Sequence, residues 1–77
     1  MIVVRLFAAA AEAVGANELT TSTGSVASLR EELAGRGAEA PRVIAQCALL
    51  RAGERLSDEA ALAPGDLVDV LPPFAGG

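Results

Sequence analysis

The chain's 77 residues carry ten acidic and six basic side chains, for a net charge of −4, which leaves room for one small domain and no second core. All six basic residues are arginines spread along the chain, which argues against nucleic acid as a partner, since phosphate contacts need grouped Lys or Arg. A single cysteine, Cys47, rules out an internal disulfide and fits a reducing compartment. No run approaches a membrane span, and Arg5 breaks the apolar start too early for a signal peptide, so the expected location is the cytoplasm.

Residues 2–8 (Ile-Val-Val-Arg-Leu-Phe-Ala) predict a buried strand, with Phe7 in the core or at its edge and Arg5 on the outer sheet face. Residues 9–14 are helix formers apart from Val14, and Gly15 can cap them, so one or two helical turns are expected. The Thr-rich stretch 17–23, bounded by Gly15 and Gly24, predicts a strand forming a hairpin with the first. Ser25 is an N-cap for a helix over 26–34, in which Val26, Leu29 and Leu33 recur at helical spacing while Glu31 and Glu32 face outward. A weaker helix is expected over 40–46, with Pro41 in its first turn and Val43, Ile44 and Cys47 on its inner side. Residues 48–51 predict a strand, 52–54 a turn, 55–56 a short return and 57–63 a loop carrying Leu62. After the turn Pro64-Gly65-Asp66, residues 67–71 (Leu-Val-Asp-Val-Leu) predict the last strand.

The order is strand, strand, helix, strand, short strand, strand. That is an α+β layer pair of the β-grasp, ubiquitin-like kind: a mixed sheet against one main helix, in which the first and last strands, if they are neighbours, run parallel. Residues 1–71 are expected to form the domain and 72–77 an extended tail ending in Gly-Gly.

The tail carries the chemistry. Pro72 and Pro73 lack backbone donors and hold φ near −65°, so they end the sheet and stiffen the exit. Phe74 follows as one large apolar side chain, expected to anchor an interface. Ala75, Gly76 and Gly77 then thin the chain, and only glycine lets a main chain enter a channel too narrow for a Cβ. Six residues after Leu71 span roughly 20 Å when extended. The reactive group at the tip is the Gly77 carboxylate, a poor electrophile that needs activation, for instance by adenylation. With no histidine, no phosphate-binding loop and no metal cluster in the sequence, that step belongs to a partner enzyme, and no cofactor or metal is expected here.

Val4-Arg5-Leu6-Phe7-Ala8, Glu12-Ala13-Val14-Gly15, the helix from Ser25 to Leu33, Pro64-Gly65-Asp66-Leu67-Val68 and above all Leu71-Pro72-Pro73-Phe74-Ala75-Gly76-Gly77 resemble the MoaD-type small subunit of molybdopterin synthase. The resemblance implies a sulfur carrier of molybdenum cofactor biosynthesis. An E1-like enzyme adenylates Gly77 and converts it to a thiocarboxylate. The tail, Leu71 to Gly77, then enters the large synthase subunit and gives its sulfur to cyclic pyranopterin monophosphate. It also implies a heterotetramer of large and small subunits, in which this chain is a non-catalytic co-substrate. Many relatives have Asn-Gly or Val-Asn in the middle strand region, where this chain has Cys47-Ala48-Leu49-Leu50-Arg51-Ala52-Gly53, and many have a basic residue before Glu12.

The alternatives are a carrier for thiamine thiazole or cysteine synthesis, a ubiquitin-like modifier joined to lysines through Gly77, and a plain interaction domain. Among other residues, Cys47 is expected to be buried and inert. Asp66 is read as stabilising its turn and Asp69 as part of a solvated face, rather than either as a metal ligand.

Overall fold

A computed structural model describes residues 1–73. It contains β1 (Ile2–Leu6), α1 (Ala9–Val14), β2 (Glu18–Thr21), α2 (Val26–Ala34), α3 (Ala40–Gln46), β3 (Ala48–Arg51), β4 (Glu54–Arg55) and β5 (Leu67–Leu71). The strands form one sheet in the order β2-β1-β5-β3-β4. β1 runs antiparallel to β2 and parallel to β5, while β3 runs antiparallel to both β4 and β5. This is the expected mixed β-grasp sheet, with all three helices on one face.

Alternation along the strands decides what that face covers. Ile2, Val4 and Leu6 of β1, Val68 and Val70 of β5 and Leu49 of β3 point inward. They meet Val26, Leu29 and Leu33 of α2, Ala10 and Val14 of α1, and Ala40 and Ile44 of α3. α2 begins where Ser25 Oγ accepts from the Ser28 N–H at 3.2 Å. The loop after β4 supplies further acceptors at that end, since Val26 N–H donates to Ala60 O at 3.1 Å and Ala27 N–H to Asp58 O at 3.1 Å. Arg30 then ties the loop to α3, bonding Asp58 Oδ1 at 2.9 Å and Ile44 O at 2.7 Å.

Several boundaries differ from the sequence expectation for local reasons. β1 stops at Leu6 because Ala10 N–H donates to Phe7 O at 3.0 Å, closing a turn with Ala8 at φ 52°. β2 stops at Thr21, whose Oγ1 accepts from the Thr23 N–H at 3.3 Å and turns the chain towards α2. Glu32 is half-buried rather than a solvated side chain: its Oε1 accepts from Thr21 Oγ1 at 2.6 Å, and it pairs with Arg36 at 3.8 Å. Glu31 is exposed, as expected.

The β3–β4 hairpin has a two-residue loop, Ala52-Gly53, with φ of 54° and 80°. Both positive φ values belong to a type I′ turn, which suits Asn-Gly and strains an alanine at the first position. Ala52→Asn is therefore expected to stabilise the fold by about 0.5–1 kcal/mol, read as a higher midpoint in denaturant with unchanged slope.

Candidate functional site

The chain leaves the sheet from the end of β5, the middle strand, so the surroundings of Pro72 and Pro73 are set by the strands on either side. Pairing persists to the exit: Phe7 N–H donates to Val70 O at 3.2 Å on one side, and Ala48 lies opposite Leu71 on the other. Alternation then puts Phe7, Leu71 and Ala48 on the outer sheet face, away from the helices. Phe7, expected in the core or at its edge, is 40% exposed and lies outside the core; it shares a face with Val3 and Arg5. Pro72 is buried and Pro73 exposed, and without N–H groups neither extends the ladder.

Beside this exit an open groove of about 430 Å³ is lined by Gln46, Ala48, Leu50, Arg55, Leu71, Pro72 and Pro73. A second concavity of about 250 Å³, between Met1, Ile2, Thr23, Leu62 and neighbours, lies by the start of β1. Because β1 and β5 are parallel, that is the opposite end of the sheet from the tail.

One row further from the exit, the register lines up Glu18, Arg5, Asp69, Leu50 and Arg55 across all five strands. Arg5 and Asp69 form a two-pronged pair, Nε to Oδ1 at 2.8 Å and Nη2 to Oδ2 at 3.1 Å. That bond, with the charge of Asp69, holds the guanidinium pKa above its usual value. Asp69 is thus on the outer face as read, but paired. Asp66 stabilises its turn: Oδ2 accepts from the Ala63 N–H at 2.9 Å and from Arg51 Nη1 at 2.9 Å. The backbone bond first, and Arg51 second, hold its carboxyl below the usual carboxylate range.

Among the described residues no group of three His, Cys, Asp or Glu side chains is placed to hold a metal ion, and no helix is long and apolar enough to cross a membrane. Cys47 is 2% exposed, donates from Sγ to Val43 O at 3.2 Å, and has its thiol pKa pushed up by burial. A protonated, enclosed thiol is a poor nucleophile.

Of the site residues read from the sequence, the structure brings together Leu71, Pro72 and Pro73. Phe74, Ala75, Gly76 and Gly77 lie outside the described residues. Sequence reasoning missed the walls around the exit, namely Phe7, Gln46, Ala48, Leu50 and Arg55. The period-2 alternation through 2–7 and 47–50 was the signal for Phe7, Ala48 and Leu50.

The model of the ThiS family matches residues 4–77. No curated protein matches the sequence. Among solved structures, SAMP1 from Haloferax volcanii is 28% identical with a TM-score of 0.80, over 99% of this chain and 98% of that one. A putative molybdopterin converting factor subunit 1 from Pyrococcus furiosus is 25% identical with a TM-score of 0.77, over 95% of this chain and 97% of that one. The complex of subunits 1 and 2 of molybdopterin-converting factor from Helicobacter pylori matches at 19% identity and a TM-score of 0.71, over 99% of this chain and 97% of that one, a likeness of fold alone.

Proposed function

The chain belongs to the ThiS family, ubiquitin-like sulfur carriers of the MoaD and ThiS type, and from that premise we propose that it supplies the sulfur of molybdopterin. Gly77 is adenylated by an E1-like enzyme: its carboxylate attacks the α-phosphate of ATP and pyrophosphate leaves. A sulfur nucleophile then displaces AMP, giving a thiocarboxylate. The tail from Leu71 to Gly77 enters the large subunit of molybdopterin synthase, where the thiocarboxylate gives its sulfur to cyclic pyranopterin monophosphate. Large and small subunits assemble as a heterotetramer in the cytoplasm. The small subunit contributes the reacting group and its delivery, and the large subunit does the acid–base work.

One observation carries this reading. The strand that leads into Pro72-Pro73 is the middle one, so the tail leaves the domain from between two paired neighbours, beside an apolar row of Phe7, Leu71 and Ala48. A partner that closes over this row holds a fixed base from which the last residues extend. The likeness to a putative molybdopterin converting factor subunit 1 supports this choice of acceptor.

The likeness to SAMP1, a small archaeal modifier protein, favours a second reading in which Gly77 is joined to lysines of other proteins. The sequence has no lysine, so side-chain-linked chains of this protein on itself are excluded. Reconstitution separates the two readings. The chain, its host's E1-like enzyme, ATP, a sulfur source and the host's large synthase subunit are expected to convert cyclic pyranopterin monophosphate to molybdopterin. A thiocarboxylated chain that yields none overturns the molybdopterin assignment, and adducts on host lysines then support the modifier.

A further inference from the structure

Five of the six arginines are neutralised within the chain, by Asp69, Asp58, Glu32, Glu39 and Asp66. Arg55 is the exception: among the described residues it forms neither an ion pair nor a side-chain hydrogen bond. The sheet explains why. In its row Asp69 stands two strands away, with Leu50 between them. Two strand spacings put the backbones about 10 Å apart, and both oxygens of the Asp69 carboxylate are already held by Arg5. Its strand neighbour Glu54 points to the opposite face by alternation. Among the described residues Arg55 is therefore an uncompensated cation on an acidic protein, and it borders the groove beside Pro72 and Pro73, whose other walls include Ala48, Leu50 and Leu71.

We infer that Arg55 and this groove dock an acidic segment of the enzyme that activates Gly77, with a partner carboxylate on the guanidinium and an apolar side chain over Leu50 and Leu71. The inference rests on the proposed activation of Gly77 and deepens it. Gly77 lies four residues past Pro73, at most ~14 Å along an extended chain. An enzyme that holds Gly77 in its active site is thus brought within reach of the groove. The guanidinium fork matches a carboxylate in plane and charge. Activation is also the step shared by the sulfur-carrier and modifier readings, so the activating enzyme is the occupant common to both.

The test is ATP–pyrophosphate exchange by the host's E1-like enzyme as the concentration of this chain is varied. At low salt, Arg55→Glu is expected to raise the KM for the chain about tenfold or more with kcat within about twofold, and Arg55→Lys to stay within about threefold of the unchanged chain. The Arg55→Glu defect is expected to shrink at high salt as the charges are screened. Arg55 is exposed and supports no ion pair among the described residues, so both variants are expected to keep the far-UV spectrum and melting temperature of the unchanged chain. Equal KM values for the unchanged chain and Arg55→Glu overturn the inference and leave Gly77 activation standing. A defect insensitive to salt overturns the charge pairing. No exchange with the unchanged chain, under an enzyme active on its own carrier, removes both this inference and the activation of Gly77.

Discussion

One residue added after Gly77 is expected to reduce sulfur transfer to background while leaving the thermal transition unchanged. The extension turns the Gly77 carboxylate into an amide, which cannot attack the α-phosphate of ATP, and the new terminal carboxylate carries a side chain wherever the added residue is not glycine. Among the described residues the buried cluster runs from Ile2 to Val70, short of that end. A chain extended by one alanine, assayed for molybdopterin formation and melted by circular dichroism, checks both halves. Transfer at the unextended rate contradicts the chemistry assigned to Gly77, and a collapsed melting transition contradicts the separation of tail from fold.

The second large effect is on stability. Gly37 lies in the connection between α2 and α3, and a Cβ placed there would be driven into the backbone carbonyl oxygen of Ala13 in α1. The obstacle is main chain, so no side-chain rotation relieves it; α1 or the connection has to move, at a position where both border the core. Gly37→Ala is expected to cost about 3 kcal/mol, at the upper end of overpacking penalties. For a domain of this size that lowers Tm by roughly 10–20 °C. Gly35→Ala is the control. Gly35 has φ −83°, and its added Cβ would sit 3.6 Å from Glu32 O, an ordinary contact. That variant is expected to melt within a few degrees of the unchanged chain. Equal melting temperatures for the two variants contradict the close approach of α1 to the α2–α3 connection.

These predictions mark where local reading of the sequence succeeded and where it stopped. The α2 helix was legible because its signals are local: Ser25 caps the first turn, and Val26, Leu29 and Leu33 recur on the buried face. Gly15 was legible as a cap for the same reason, and it has the left-handed φ of 85°. Phe7 stayed open between the core and its edge because Ile-Val-Val-Arg-Leu-Phe reads as a continuous apolar run broken once. The position of Arg5 already implied alternation, and alternation turns Phe7 outward with it. Asp69 and Glu32 were read as solvated because their partners meet them only in the fold: Arg5 is 64 residues from Asp69, beyond any local window, and Thr21, 11 residues from Glu32, lies in a different element.

The candidate site divides along the same line. The chemistry proposed for the tail rests on residue type, so it was read from Pro72, Pro73 and the glycines without a fold. The groove beside it is assembled from the ends of three strands and exists only once they are in register. Arg55 shows the difference most clearly. In the sequence it is one of six arginines. In the fold it is the one that, among the described residues, pairs with no carboxylate of the chain.

The central claim is that Gly77 carries sulfur. Its most direct test is the intact mass of the chain, purified from its host or incubated with ATP, a sulfur source and the host's E1-like enzyme. The account predicts a gain of about 16 Da, one oxygen replaced by sulfur, which fragmentation places on Gly77 and not on Met1 or Cys47. An unchanged mass, under conditions where the enzyme is shown to be active on a known carrier, contradicts it.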